Sequence, residues 1–240
     1  MTQDTVFAQE RAAEDFRFDE QVAGAFDDMV DRSVPFYSEI QRMVSELAVD
    51  YAEPHSHLCD LGCATGTTLA LMDNIVSPDV SFIGVDNSAE MLEKCRAKFE
   101  QLHSERSSRF LCHDLREMNL PENLSVVSML LTLMFVRPVH RREVLSSIFQ
   151  RLTPGGALIL VEKVVCDSSD LNRKFIKFYY DMKRRNGYSE LEISQKREAL
   201  ENVLIPYTES ENRQILTDAG FSRVEVFFRW YNFCGMVAVK

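Results

Sequence analysis

The feature that most restricts the fold is a regular alternation of short apolar runs with helix-patterned segments between residues 57 and 162. Leu58–Cys63 is a short apolar run that enters a turn, Asp60-Leu61-Gly62-Cys63-Ala64-Thr65-Gly66. Thr67–Ile75 then has helical spacing, and Val80–Val85 reads as a second strand ending at Asp86. Ser88 is placed to cap a helix through about Phe99, because its hydroxyl can accept a free amide hydrogen of the first turn. Arg109–His113 reads as a third strand. Val126–Leu133 is nearly continuous in apolar residues, as a strand covered on both faces should be. Pro138 opens a helix to Leu152, and Pro154-Gly155-Gly156 turns the chain into a fifth strand, Ala157–Glu162. Strands alternating with helices predict right-handed βαβ units and a doubly wound parallel sheet.

The flanks extend this frame. Residues 1–16 are polar and are expected to be loose. Residues 17–52 read as N-terminal helices, with Val22, Phe26, Met29 and Val30 on one stripe and Ile40, Met43, Val44 and Leu47 on another, broken at Ser33-Val34-Pro35. Leu171–Arg185 and Ser189–Val203 are two helices without an intervening strand, so 166–205 is a helical insert after strand five. Ser189 and Glu192 form a capping-box pattern at the start of the second. Val224–Trp230 and Cys234–Val239 are close enough to pair only as antiparallel strands. The predicted class is α/β, a Rossmann-like, mostly parallel seven-stranded sheet with an antiparallel C-terminal strand, in one domain over 1–240.

The formal charge of −10 argues against direct nucleic-acid binding, which needs clustered Lys and Arg. The cluster Arg137, His140, Arg141 and Arg142 reads as a solvated helix start. The six cysteines show no CxxC pair and no metal-ligand spacing, so reduced thiols, a cytoplasmic setting and no metal are expected. No apolar run approaches the roughly 20 residues that span a bilayer.

Chemistry concentrates at the turn. Glycine lets backbone approach a ligand without a side chain in the way. Asp86 ends the second strand twenty-four residues after Gly62, where an acidic residue can hold ribose hydroxyls. The alternative is that Gly62 and Gly66 are ordinary turn glycines and Asp86 caps the next helix. A dinucleotide fold would show a third phosphate-cradling glycine, which is missing. The pattern D-x-G-x-x-x-G, from Asp60 to Gly66, resembles instead the class I S-adenosylmethionine-dependent methyltransferases. That resemblance implies that Gly62, Cys63 and Ala64 pass the methionine part of the cofactor and that Asp86 holds the ribose. It also implies that Asn87 and the pair Asp114-Leu115 flank the adenine.

The resemblance tightens outside the common fold. Phe18-Asp19-Glu20, Asp31-Arg32-Ser33-Val34-Pro35-Phe36-Tyr37, the stretch from Asn186 to Arg197 and Leu200-Glu201-Asn202-Val203 resemble the carboxy-S-adenosyl-L-methionine synthases over nearly the whole chain. As the resemblance implies, such enzymes use prephenate as a carboxyl donor and release phenylpyruvate. The cofactor's methyl carbon loses a proton to become a ylide and captures the carbon dioxide. The product, carboxy-S-adenosyl-L-methionine, serves a partner enzyme that carboxymethylates wobble uridine in tRNA. Arg197 matches the family arginine that binds the new carboxylate, supplied from the neighbouring subunit of a homodimer, and Tyr37 matches a tyrosine of the same pocket. Departing hydroxide can take the methyl proton, so no protein base is implied.

Spacing alone would pair Arg197 with Glu201 on the same helix face. The turn reads Gly-Cys-Ala-Thr-Gly where the family has Gly-Cys-Ser-Leu-Gly. Leu130 stands where the family has a cofactor-contacting asparagine, and Met134 where it tends to have glutamine. Leucine offers no amide hydrogen bonds. A conventional small-molecule methyltransferase, a paralogue using the carboxylated cofactor in another pathway, and a non-catalytic cofactor-binding subunit stay open at this point.

Overall fold

The computed structural model describes residues 2–12, 14–117 and 119–240. In chain order the elements are α1 (Glu20–Ser33), α2 (Tyr37–Tyr51), β1 (His57–Leu61), α3 (Thr67–Asp73), β2 (Ser81–Asp86) and α4 (Ala89–Leu102). There follow β3 (Ser108–Cys112), β4 (Leu124–Leu130), α5 (Pro138–Arg151), β5 (Leu152–Val165), α6 (Ser169–Arg185) and α7 (Glu190–Ala199). The chain closes with β6 (Tyr207–Thr208), α8 (Glu209–Ala219), β7 (Arg223–Trp230) and β8 (Phe233–Val239).

The main sheet runs β3-β2-β1-β4-β5-β8-β7. Its first five strands are parallel, and β8 is antiparallel to both neighbours, as the sequence predicts. The two-residue β6 adds to β5 in parallel and was not legible in the sequence. Side chains alternate between faces along each strand, and the core divides accordingly. Cys59, Leu61, Val127, Met129, Leu158 and Leu160 join one buried cluster with Leu145 and Ile148 of α5. Leu58, Phe82, Val126 and Ile159 join another, with Ile40 and Val44 of α2 and Leu69 of α3. Both faces of the central strands are therefore covered, which is why they read as unbroken apolar runs.

Three expectations are corrected and one helix is added. Residues 1–16 are not loose throughout: Asp4, Val6 and Phe7 are buried, with Val6 and Phe7 packed on α1 and on Ala199 of α7. Strand four ends at Leu130, and Leu133–Phe135 forms a 3-10 turn. Helix α8 escaped the sequence reading, although Thr208 and Glu211 form a full capping box at its start. Arg141 is not a solvated helix residue. It is 1% exposed and donates to the carbonyls of Val136, Met134 and Ile205 at 2.8, 3.2 and 2.5 Å. Its guanidinium also lies 4.2 Å from the Tyr207 ring centroid, so it ties α5 to the segment after α7.

The insert behaves as its caps suggest. Ser189 Oγ accepts from Glu192 N at 3.2 Å, and the Glu192 carboxylate accepts from Ser189 N at 2.7 Å. Removing this cap in Ser189→Ala is expected to destabilise the protein by about 1 kcal/mol. A thermal melt should then show Tm lower by about 2–4 °C.

Candidate active site

The carboxyl end of β1 delivers the chain into a turn whose backbone only small residues tolerate. Gly62 and Gly66 have φ of 79° and 75°, in the left-handed region. A Cβ on Gly62 would stand 2.2 Å from Thr132 Oγ1, and one on Gly66 would stand 2.4 Å from Cys95 Sγ. Asp86 locks the turn from β2: its Oδ2 accepts from Ala64 N and its Oδ1 from Ser88 N, both at 2.9 Å. Burial pushes the Asp86 carboxyl up, while those backbone donors act against the rise. The cap of α4 is Ser88, whose Oγ accepts from Met91 N at 3.1 Å, so the cap reading of Asp86 is set aside.

Above this turn lies a cavity of about 450 Å³. Tyr37, Asp60, Gly62, Cys63, Ala64, Asp86, Asn87, Asp114, Leu115 and Leu130 all line it, so the ends of β1, β2, β3 and β4 together with α2 bring together ten residues singled out in the sequence. Gly66 is not on the wall; it starts α3 and packs against α4. Arg197 is not on the wall either. It is exposed on α7, and among the described residues it has no ion pair, with Glu201 or any other carboxylate. Its neighbour Lys196 faces the cavity instead, because consecutive helical residues point in different directions.

The acids of the wall differ in state. Asp60 is 3% exposed, and burial pushes its carboxyl up to about 7; a bond from Ser128 Oγ at 2.7 Å opposes the shift and nearby Asp86 adds to it. Arg116 grips Asp114 through Nε–Oδ1 and Nη2–Oδ2 bonds of 2.9 and 2.6 Å, holding that carboxyl below its ordinary value. Asp114 Oδ1 also accepts from Arg116 N at 2.9 Å, so Oδ2 is the oxygen with a lone pair left for a ligand. Burial holds the Tyr37 phenol well above its usual value, against a hydrogen bond with Thr68 and with a smaller push from Asp60, so Tyr37 stays a protonated donor.

A methyltransferase-domain family model matches residues 58–156. The chain is also 52% identical to a carboxy-S-adenosyl-L-methionine synthase of Methylococcus capsulatus, over all of both chains. The chain belongs to the carboxy-S-adenosyl-L-methionine synthase family. A second synthase of that name, from Desulfotalea psychrophila, is 43% identical over 99% of this chain and 97% of its own. Among solved structures, an O-methyltransferase family protein from Burkholderia thailandensis superposes with a TM-score of 0.67 at 20% identity. The match covers 93% of this chain and 60% of that one. At that identity the likeness speaks for the fold, a class I methyltransferase fold.

Several wall residues of this synthase-family chain were missed by sequence reasoning. Phe16, Phe18 and Phe26 roof the cavity, with Phe16 and Phe18 edge-on at 5.1 Å and Phe18 edge-on to Phe135 at 5.4 Å. Phe16 and Phe18 in an otherwise polar stretch were the available signal. Asp27 of α1 was missed as well. It accepts from Thr65 Oγ1 at 2.5 Å, Thr67 Oγ1 at 3.1 Å and Lys98 Nζ at 3.1 Å, and so clamps α1 over the turn. Burial pushes the Asp27 carboxyl up, but Thr65, Lys98 and Thr67 together outweigh it and leave it below its ordinary value. Leu130 and Met134, the two departures from the family pattern outside the turn, both stand on the wall.

Proposed function

We propose that this protein converts S-adenosyl-L-methionine and prephenate into carboxy-S-adenosyl-L-methionine and phenylpyruvate. The product would supply a partner enzyme that carboxymethylates wobble uridine in tRNA. The observation that carries the reading is the full-length similarity to carboxy-S-adenosyl-L-methionine synthases, joined to a cavity lined by the residues such a cofactor needs. The atoms balance without an external reagent. Prephenate gives up carbon dioxide and hydroxide, the sulfonium methyl gives up a proton that the hydroxide takes as water, and a new carbon–carbon bond holds the carboxyl group.

The residues fit the cofactor. The Gly62 position leaves the backbone open, where a Cβ would collide with Thr132. In this reading Gly62, Cys63 and Ala64 border the methionine part, Asp86 takes the ribose hydroxyls, and Asn87, Asp114 and Leu115 border the adenine. The aromatic roof keeps the reacting end dry, which a carbanion-like centre requires. Tyr37 donates toward the new carboxylate. Arg197, exposed and unpaired among the described residues, binds it from the second subunit of a homodimer. The setting is cytoplasmic, and 1–240 acts as one domain. No helix among the described residues is long and apolar enough to cross a membrane.

Mass spectrometry of the co-purifying ligand tests the reading. A mass above S-adenosylmethionine by one carbon dioxide is expected, as is the same product from the two purified substrates. Plain S-adenosylmethionine with no prephenate-dependent product would favour a conventional methyltransferase, a reading that Leu130 and Met134 on the wall keep in view.

Asp60 adds a pH signature. Burial pushes its carboxyl up to about 7. A cationic ligand beside it favours the charged form and lowers that value, so binding releases a proton below pH 7. Calorimetry should therefore show affinity for S-adenosylmethionine rising as pH increases toward about 7 and flat just above it. Asp60→Asn should flatten the rise; an unchanged slope would place the cation elsewhere.

A further inference from the structure

Three lysines converge beside the cavity: Lys163 on β5, Lys183 on α6 and Lys196 on α7. Lys183 and Lys196 are 4% and 7% exposed. Among the described residues the lysine–carboxylate pairs are Lys98–Asp27 and Lys174–Asp170, so none of the three ammonium groups has a carboxylate within pairing distance. All three lie over aromatic faces instead: Lys163 is 4.9 Å from the Tyr179 centroid, and Lys183 and Lys196 are 5.0 and 5.8 Å from that of Tyr188. Burial pulls Lys196 down to about 8 and Lys183 to about 7, with mutual repulsion adding to the fall at Lys183. A buried, unpaired ammonium is costly, and such groups are rare unless an anion joins them.

Lys196 is the member of the group on the cavity wall. Its Nζ donates to Ser33 Oγ at 3.3 Å, Ser33 Oγ donates to Tyr188 OH at 3.3 Å, and Tyr188 OH donates to Asp4 Oδ2 at 2.5 Å. The donors run one way, from the ammonium to a carboxylate that is 2% exposed. This chain orients Nζ while using one of its three hydrogens. The same cavity wall carries apolar Met29, Val30, Val34 and Leu200 beside Ser33. A cation set in an apolar wall suits a carboxylate carried on an apolar body.

We propose that Lys196 is the subsite for one carboxylate of the second substrate, an acid built on a cyclohexadiene ring, and that Ser33, Tyr188 and Asp4 position its ammonium. The inference rests on the two-substrate reading above. It assigns the N-terminal segment a task as well, because Asp4 anchors the relay from outside the sheet.

Calorimetry with prephenate as probe, on protein saturated with S-adenosylhomocysteine, tests it. Lys196→Met is expected to weaken prephenate binding about tenfold or more, Lys196→Arg to restore part of it, and affinity for S-adenosylmethionine to change less than about twofold. Tyr188→Phe, which keeps the ring and cuts the relay, should weaken prephenate severalfold, and it serves if Lys196→Met does not fold. Unchanged prephenate affinity in these variants overturns the proposal. So does a wild-type protein that binds no prephenate, or a loss of S-adenosylmethionine affinity at least as large, which would assign Lys196 to the cofactor's own carboxylate. Turnover is read separately. Lys196-dependent binding without carboxylated product would sink the synthase reading alone, and turnover with an unmoved KM for prephenate in Lys196→Met would sink the subsite alone.

Discussion

Asp86→Ala is expected to lower affinity for S-adenosylmethionine by about a hundredfold or more, measured by calorimetry. The variant removes a carboxylate proposed to accept from two ribose hydroxyls, and charge-assisted hydrogen bonds contribute about 1.5–3 kcal/mol each. It also frees Ala64 N, which Asp86 Oδ2 now holds at 2.9 Å, so the turn loses its brace from β2. The two effects separate with Asp86→Asn. The amide oxygen can still accept from Ala64 N, but the group no longer offers two acceptor oxygens, so an intermediate loss is expected. Near wild-type affinity in the alanine variant would show that the ribose is held elsewhere.

Arg197→Ala should abolish the preference for the carboxylated cofactor over the plain one. Losing one partner of a close charge pair costs about 2–5 kcal/mol, so the ratio of the two dissociation constants should fall by about thirtyfold or more. Affinity for plain S-adenosylmethionine should barely move, because that ligand lacks the extra carboxylate. The same experiment tests the dimer. Arg197 is exposed and absent from the cavity wall of its own chain. Mixing Arg197→Ala protein with a Gly62-blocked partner should therefore restore selectivity in the hybrid, and a monomeric protein with full selectivity would rule the arrangement out.

Particular residues show how much could be read from the chain. The runs around Leu58, Phe82, Val126 and Ile159 announce buried parallel strands, because covering both faces leaves few polar positions. The pairs Ser189–Glu192 and Ser88–Met91 are local hydrogen bonds, so local sequence predicts them. Asp86 and Gly62 are legible because the strand–turn–helix unit places them at a set spacing. Arg141 was misread for the opposite reason: its partners are carbonyls at residues 134, 136 and 205, and only the folded chain brings the last of these close. The roof of Phe16 and Phe18 and the burial of Asp4 depend in the same way on segments that meet across the sequence.

By itself, then, the sequence determined the alternation of strands and helices from β1 to α7, the turn with its acid at the end of β2, and the family. All of these rest on interactions within a few residues or on patterning along one element. The tertiary structure alone decided that Lys196 and not Arg197 faces the cavity, and that Asp4 reaches Tyr188 across 184 residues of chain. Those placements follow from packing between distant elements, where side-chain direction is set by neighbours that no local pattern encodes.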